Sequence, residues 1–210
     1  MRFYKFPKWQ QWCYPNAIFD FYKHNYSLQN NVIYLTFDDG PTPHTTIQIL
    51  DVLDAFNAKA TFFCEGEKVK NYPELYQEII KRGHSVGNHS MTHLNGFKTS
   101  SKKYVNDILE AKKHINSNLF RPPFGKCTPK QHKKINAIGF TTVFWSHLTY
   151  DFDNVLSDNY LYEKCIKATK NGSVIVFHDS VDFNKKWFKR ILQHYTEHNF
   201  KLVSIEMNTK

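Results

Sequence analysis

No apolar run in these 210 residues reaches the roughly 20 that a membrane-spanning helix requires. The four cysteines, Cys13, Cys64, Cys127 and Cys165, stand far apart with no C-x-x-C spacing. That excludes a zinc knuckle or a dithiol redox motif and leaves free, mostly buried thiols as the expectation. No G-x-G-x-x-G or G-x-x-x-x-G-K-[ST] follows a strand-like run, so nucleotide binding has no motif to rest on. The net charge of +9 comes from lysines and arginines scattered along the chain, with no basic block or nucleic-acid motif. A generic basic surface and no nucleic-acid partner are expected, although the same field attracts anionic polymers. The first residues carry charge but no apolar core of about 7–15 residues with a cleavage site. Taken as complete, the chain is expected to be cytoplasmic; had a leader been trimmed, it would be extracytoplasmic. The length suits one soluble, well-buried domain, expected to be monomeric.

What is present is a repeated alternation of short apolar runs with amphipathic segments. Strand-like runs are Val32–Phe37, Ala60–Phe63, Ser85–Asn88, the surroundings of Phe120, Phe140–Trp145, Ser173–Phe177 and Leu202–Ile205. Helix-like stretches lie between them: Thr46–Phe56, Pro73–Arg82, Ser101–Asn116, Thr128–Ile138, Asn159–Lys170 and Asn184–Asn199. Tyr104, Ile108, Ala111 and Ile115 recur at helical spacing, Pro73 and Pro129 suit a first helical turn, and Gly83, Gly139 and Gly172 punctuate helix ends. Such alternation predicts an α/β fold with about seven mainly parallel strands, doubly wound or closed into a barrel. Reactive groups then gather at strand C-terminal ends. Residues 1–30 differ in being very aromatic: Phe3, Tyr4, Phe6, Trp9, Trp12, Tyr14, Phe19, Phe21, Tyr22 and Tyr26. They are expected to be an extension packed on the domain formed by residues 31–210, because aromatic side chains bury large areas. Membrane-interface contact or self-association is the other reading.

At the strand ends lie Asp38 and Asp39, then His89 and His93, Arg121, Asp151 and His178. Two acids at the end of a buried run are costly unless something charged meets them. His89 and His93 are four apart, so a helical turn or similar coil points both imidazoles one way. With a carboxylate they make a three-ligand site with open positions, the pattern of a catalytic metal. Adjacent residues of an extended chain face opposite ways, so Asp38 and Asp39 are expected to divide the work between metal binding and the attacking water. Spacing alone is weak evidence: His194 and His198 are also four apart, but on a helix expected to carry them to the opposite end of the domain.

"TFDDGP", "HSMTH", "RPPFG", "WSHLTYDF" and "IVFHD", in this order, resemble the polysaccharide deacetylases of carbohydrate esterase family four, which include chitin, chitooligosaccharide and peptidoglycan deacetylases. The resemblance spans about Asn31 to Ile205. It implies a distorted (β/α) barrel and a metal-dependent hydrolase that removes N-acetyl groups from an amino-sugar oligo- or polysaccharide. It implies Asp38 as general base and Asp39, His89 and His93 as ligands of Zn2+, or of another divalent ion such as Co2+ or Ni2+. Arg121 would hold the base, the backbone N–H of Phe124 would bind the oxyanion, His178 would be the general acid, and Asp151 would tune it. Trp145 and Pro123 would contact substrate.

The sequence departs from that pattern in places. Ser146, His147 and Leu148 follow Trp145 where W-S-x-D is common, Phe152 replaces a tryptophan and Val176 a leucine. These are positions of the groove wall, bearing on substrate more than on chemistry; His147 is expected to be a solvated loop residue. O-acetyl esterase, amidase on a small non-sugar molecule, and non-catalytic carbohydrate binding stay open as alternatives.

Overall fold

The structure, a computed structural model, describes residues 11–22, 31–153, 155–179, 183 and 185–206. Its elements in chain order are β1 (Asn31–Asp38), α1 (Thr45–Ala55), β2 (Thr61–Cys64), α2 (Gly66–Asn71), α3 (Pro73–Lys81), β3 (Ser85–Asn88) and α4 (Ser101–Lys112). They continue with β4 (Leu119–Phe120), α5 (Pro129–Ala137), β5 (Thr141–Thr142), β6 (His147–Leu148), α6 (Asp158–Ala168), β7 (Ser173–His178), α7 (Lys185–Glu197) and β8 (Phe200–Val203). One sheet runs in the order β5-β4-β3-β2-β1-β7-β6, and every strand pairing in it is parallel. β8 also pairs in parallel with β1, along its first half, while β2 takes the second half. The sheet curls into a half-barrel, the distorted (β/α) barrel expected.

β1 and β7 form the centre because both are apolar on both faces, as strands covered by helices must be. Phe37, Phe62, Phe177 and Phe188 meet in one cluster with ring centroids 5.0–5.5 Å apart. Each such ring contributes about 2–3 kcal/mol by leaving water. Tyr104, Ile108, Ala111 and Ile115 are all fully buried, as their spacing predicts, although α4 ends at Lys112 and Ile115 follows in the turn. Ser100 accepts from the Lys103 N–H at the start of α4, and Thr128 and Gln131 make a reciprocal capping box on α5.

The run Phe140–Trp145, expected as one strand, is split. β5 covers two residues, β6 starts at His147, and the intervening Val143 and Phe144 carbonyls accept from Arg121 instead of a neighbouring strand. The sheet does not close between β5 and β6, and residues 11–22 lie against that opening. Ile18 bridges Val143 in parallel, Asp20 bridges Ser173 antiparallel, and Phe19 stacks on Phe144 at 5.0 Å. Tyr14 donates its hydroxyl to the Cys127 carbonyl, and His132 spans Pro15 O and Thr142 Oγ1. Gly172, at φ 83°, is where this segment passes closest, since a Cβ there would lie 2.7 Å from the Phe21 carbonyl carbon. Trp12, by contrast, is 91% exposed. Phe3, Tyr4, Phe6, Trp9 and Tyr26 lie outside the described residues.

Candidate active site

Strand register sets the site. Asp38 at the end of β1 pairs with His178 at the end of β7, and Cys64 of β2 pairs with Asn88 of β3, which pairs with Phe120 of β4. The residues at or just after these ends, Asp38, Asp39, His89, Arg121 and His178, therefore sit at one level of the sheet. All of these except the fully buried Arg121 line a pocket of about 320 Å³, together with His93, Phe124, Gly125, Lys126, Trp145, Leu148, Phe152 and Val176.

The two acids part company because Asp39 adopts φ 73° while Asp38 is still strand. Asp39 Oδ1 lies 3.2 Å from His89 Nε2 and 3.1 Å from His93 Nε2. These three form the one group among the described residues able to hold a metal ion. Edges of that length fit a divalent ion, since bonds of 2.0–2.1 Å at tetrahedral angles separate ligand atoms by about 3.3 Å. His89 Nδ1 lies 2.9 Å from the Arg121 carbonyl, a bond that places the proton on Nδ1 and leaves the Nε2 lone pair for a cation. Burial works against charge on Asp39, but the two imidazoles outweigh it and hold its pKa far below the usual carboxylate range. Burial likewise disfavours charge on His89, yet Asp38 and Asp39 raise its pKa. The site thus favours positive charge, from a proton or a metal ion, and protons should compete with metal.

The histidine segment is not a helix. Ser90 at φ 67° and His93 at φ 54° make it a coil. It is held by Asn88, whose Oδ1 accepts from Ser90 N, and by Asp107 of α4, which accepts from Met91 N and from Thr92 N and Oγ1. Neither brace was named from the sequence, although Asn88 stands directly before His89. Lys68, also unforeseen, donates to the Asp39 carbonyl and pairs with Glu65.

Asp38 is buried and bound at 2.7 Å by Arg121 Nη1, which also donates to Thr36 Oγ1. Arg121 is fully buried, donates to the Val143 and Phe144 carbonyls, and lies 4.1 Å from the Phe63 ring centroid. Burial lowers its pKa, with Asp38 opposing, and a guanidinium stays protonated regardless. On the far side, Asp151 grips His178 twice: Oδ2 accepts its backbone N–H at 2.8 Å and Oδ1 meets Nδ1 at 2.7 Å. His178 Nε2 is left for the pocket. Burial penalises its imidazolium, but Asp151 foremost, then Asp38 and Asp39, carries the pKa up to about 9.

Phe124 stands 58% exposed at φ 59° with its ring edge-on to His93, and Phe152 meets His178 edge-on at 4.7 Å. Trp145 lines the pocket, and Gly125 packs so closely that a Cβ there would lie 2.5 Å from the indole. Pro123, expected to contact substrate, is instead buried in the short 3-10 turn beneath this wall, outside the pocket lining. His147, expected in solvated loop, is buried on β6, because the chain crosses the sheet edge there.

Residues 25–143 match the polysaccharide deacetylase family. The chain belongs to the polysaccharide deacetylases of carbohydrate esterase family four. Among relatives of this deacetylase chain is a peptidoglycan-N-acetylglucosamine deacetylase of Bacillus cereus, 37% identical over 73% of this chain and 76% of its own. A chitooligosaccharide deacetylase of Bradyrhizobium is 32% identical over 70% of each. The crystal structure of a peptidoglycan N-acetylglucosamine deacetylase bound to 4-naphthalen-1-yl-N-oxidanyl-benzamide superposes with a TM-score of 0.82 at 28% identity, covering 90% of this chain and 91% of that one.

Proposed function

We propose that this deacetylase chain is a metal-dependent hydrolase that removes N-acetyl groups from an amino-sugar oligo- or polysaccharide and releases acetate. The observation that carries the reading is one pocket that brings together the Asp39–His89–His93 set, an Arg121-held carboxylate and an Asp151-held imidazole. Asp38 takes a proton from water as the water oxygen bonds to the acetyl carbon. Arg121 fixes the position of that carboxylate through a buried, two-sided hydrogen-bond frame. Asp39, His89 and His93 would hold a divalent ion, which would supply Lewis acidity toward the carbonyl and the water. The Phe124 backbone N–H faces the developing oxyanion, a contact of a kind worth ~3–4 kcal/mol. His178, kept protonated by Asp151, gives its Nε2 proton to the sugar nitrogen as the C–N bond breaks, which an amide leaving group needs.

Zinc is the proposed ion, because a carboxylate with two imidazoles is a zinc-type donor set. The test is acetate release from N-acetylglucosamine oligomers by metal-stripped protein and by the same protein after zinc is restored. Zinc-dependent release is expected. No release in either state, with zinc shown to bind, would overturn the N-acetyl reading; release from acetylated xylan instead would identify an O-acetyl esterase.

A further inference from the structure

The pocket's lining contains one aliphatic cation, Lys126, to which the proposed reaction gives no part. Its backbone is tightly held. The Lys126 N–H donates to the Pro123 carbonyl, and its own carbonyl accepts from Gly96 N at 3.1 Å and from Tyr104 Oη. Gly96 approaches so closely that a Cβ there would lie 2.3 Å from that carbonyl oxygen. Next to it, Gly125 is wedged on Trp145 and Phe124 sits against His93. The side chain rises from this fixed base into solvent, with Nζ 5.8 Å from the Phe124 ring centroid, on the aromatic wall that flanks the metal-ligand set. Among the described residues it forms no ion pair, whereas Lys68, the other lysine beside the site, is committed to Glu65 and the Asp39 carbonyl.

A cation held at the rim, with no acid of its own, is suited to a charge on the substrate. We propose that Lys126 forms an anion-reading subsite, so that the chain selects amino-sugar glycans bearing a carboxylate or phosphate beside the reacting acetamide over neutral N-acetylglucosamine oligomers. The proposal rests on the deacetylase reading for its substrate, but not for its binding test. An exposed lysine in moderate dielectric discriminates by only about threefold to tenfold at low salt.

The experiment compares calorimetric binding of an N-acetylglucosamine tetramer with that of its 6-O-carboxymethylated and 6-O-phosphorylated forms, on zinc-loaded protein, with acetate release followed in parallel. At least one anionic form is expected to bind about three to ten times more tightly than the neutral one, and which form does so identifies the anion. The ratio should fall to about one in Lys126→Ala, invert in Lys126→Glu, persist in Lys126→Arg, and collapse near 1 M salt, where screening length is about 3 Å. Equal affinities in the native chain, a ratio that survives Lys126→Ala, or no binding of any oligomer would overturn the subsite. Acetate from the neutral oligomer without charge preference defeats the subsite alone. A Lys126-dependent preference without any acetate defeats the deacetylase reading alone.

Discussion

Two histidine pairs share the same i, i+4 spacing and differ in almost everything else. His194 and His198 lie at the C-terminal end of α7 and just beyond it, with ring centroids 4.1 Å apart, closer than the 5.1 Å between His89 and His93. Yet His198 Nδ1 is taken by the His194 carbonyl and His194 Nδ1 by Tyr162 Oη, and among the described residues no carboxylate completes a three-ligand group with them. Burial and the neighbouring His198 lower the His194 pKa, while Asp38 and Asp39 raise that of His89. Proximity of two imidazoles therefore does not make a metal site. What sets the His89–His93 pair apart is a carboxylate within reach and a field favouring positive charge, both supplied by Asp38 and Asp39 at and just after the end of β1, some fifty residues earlier in sequence.

The largest expected effect breaks that contrast directly. His93→Ala should weaken zinc binding by about 10³-fold, read by competition with a chromophoric chelator, whereas the double change His194→Ala with His198→Ala should leave one tight zinc per chain. Equal losses in both variants would erase the distinction. Next, Asp38→Asn should lower turnover by ~10²–10⁴ with zinc affinity kept; near-normal rates would remove Asp38 from the chemistry.

A smaller effect sharpens the electrostatic side of the comparison. Against the opposing effect of burial, Asp151 pushes the His178 pKa up to about 9, so activity needing its proton should hold below that value and fall above it. In Asp151→Asn the alkaline limb should move toward the ordinary histidine range near 6.5, seen as a shifted pH–rate profile. Because the folded-state value is raised, the pair stabilises the fold fully below about pH 6.5, and that contribution is lost as pH rises through about 9. An unmoved limb would show that another group sets it. Smallest of all, His194→Ala alone should change stability by less than about 0.5 kcal/mol in a denaturant titration, as expected of a half-exposed position.

Much of the frame was legible in the residue pattern. β1 and β7 come within a residue of the expected runs, because a strand buried on both faces writes itself as a run rich in Val, Ile and Phe. The stripe on α4 and the prolines opening α3 and α5 were equally local signals. The short helix α2 was not, since six residues carry too little periodicity. The division of Phe140–Trp145 was also hidden, because it depends on a guanidinium arriving from β4 and on residues 11–22 covering the opening.

For the site, sequence alone determined which chemical groups collect at the strand ends: two acids, two histidines four apart, an arginine, and a later His–Asp pair. It determined this because parallel β/α connection sends every strand the same way, and Asp38, Arg121 and His178 stand at or directly after apolar runs, with the other groups a few residues beyond a strand. Tertiary structure decided what the groups do to one another. The left-handed turn at Asp39, the buried Arg121 frame around Asp38, the two-point grip of Asp151 on His178 and the bracing of the histidine coil by Asn88 and Asp107 all join distant or irregular backbone. Local propensity cannot encode such contacts, since their energies exist only once packing has excluded water and fixed the partners' positions.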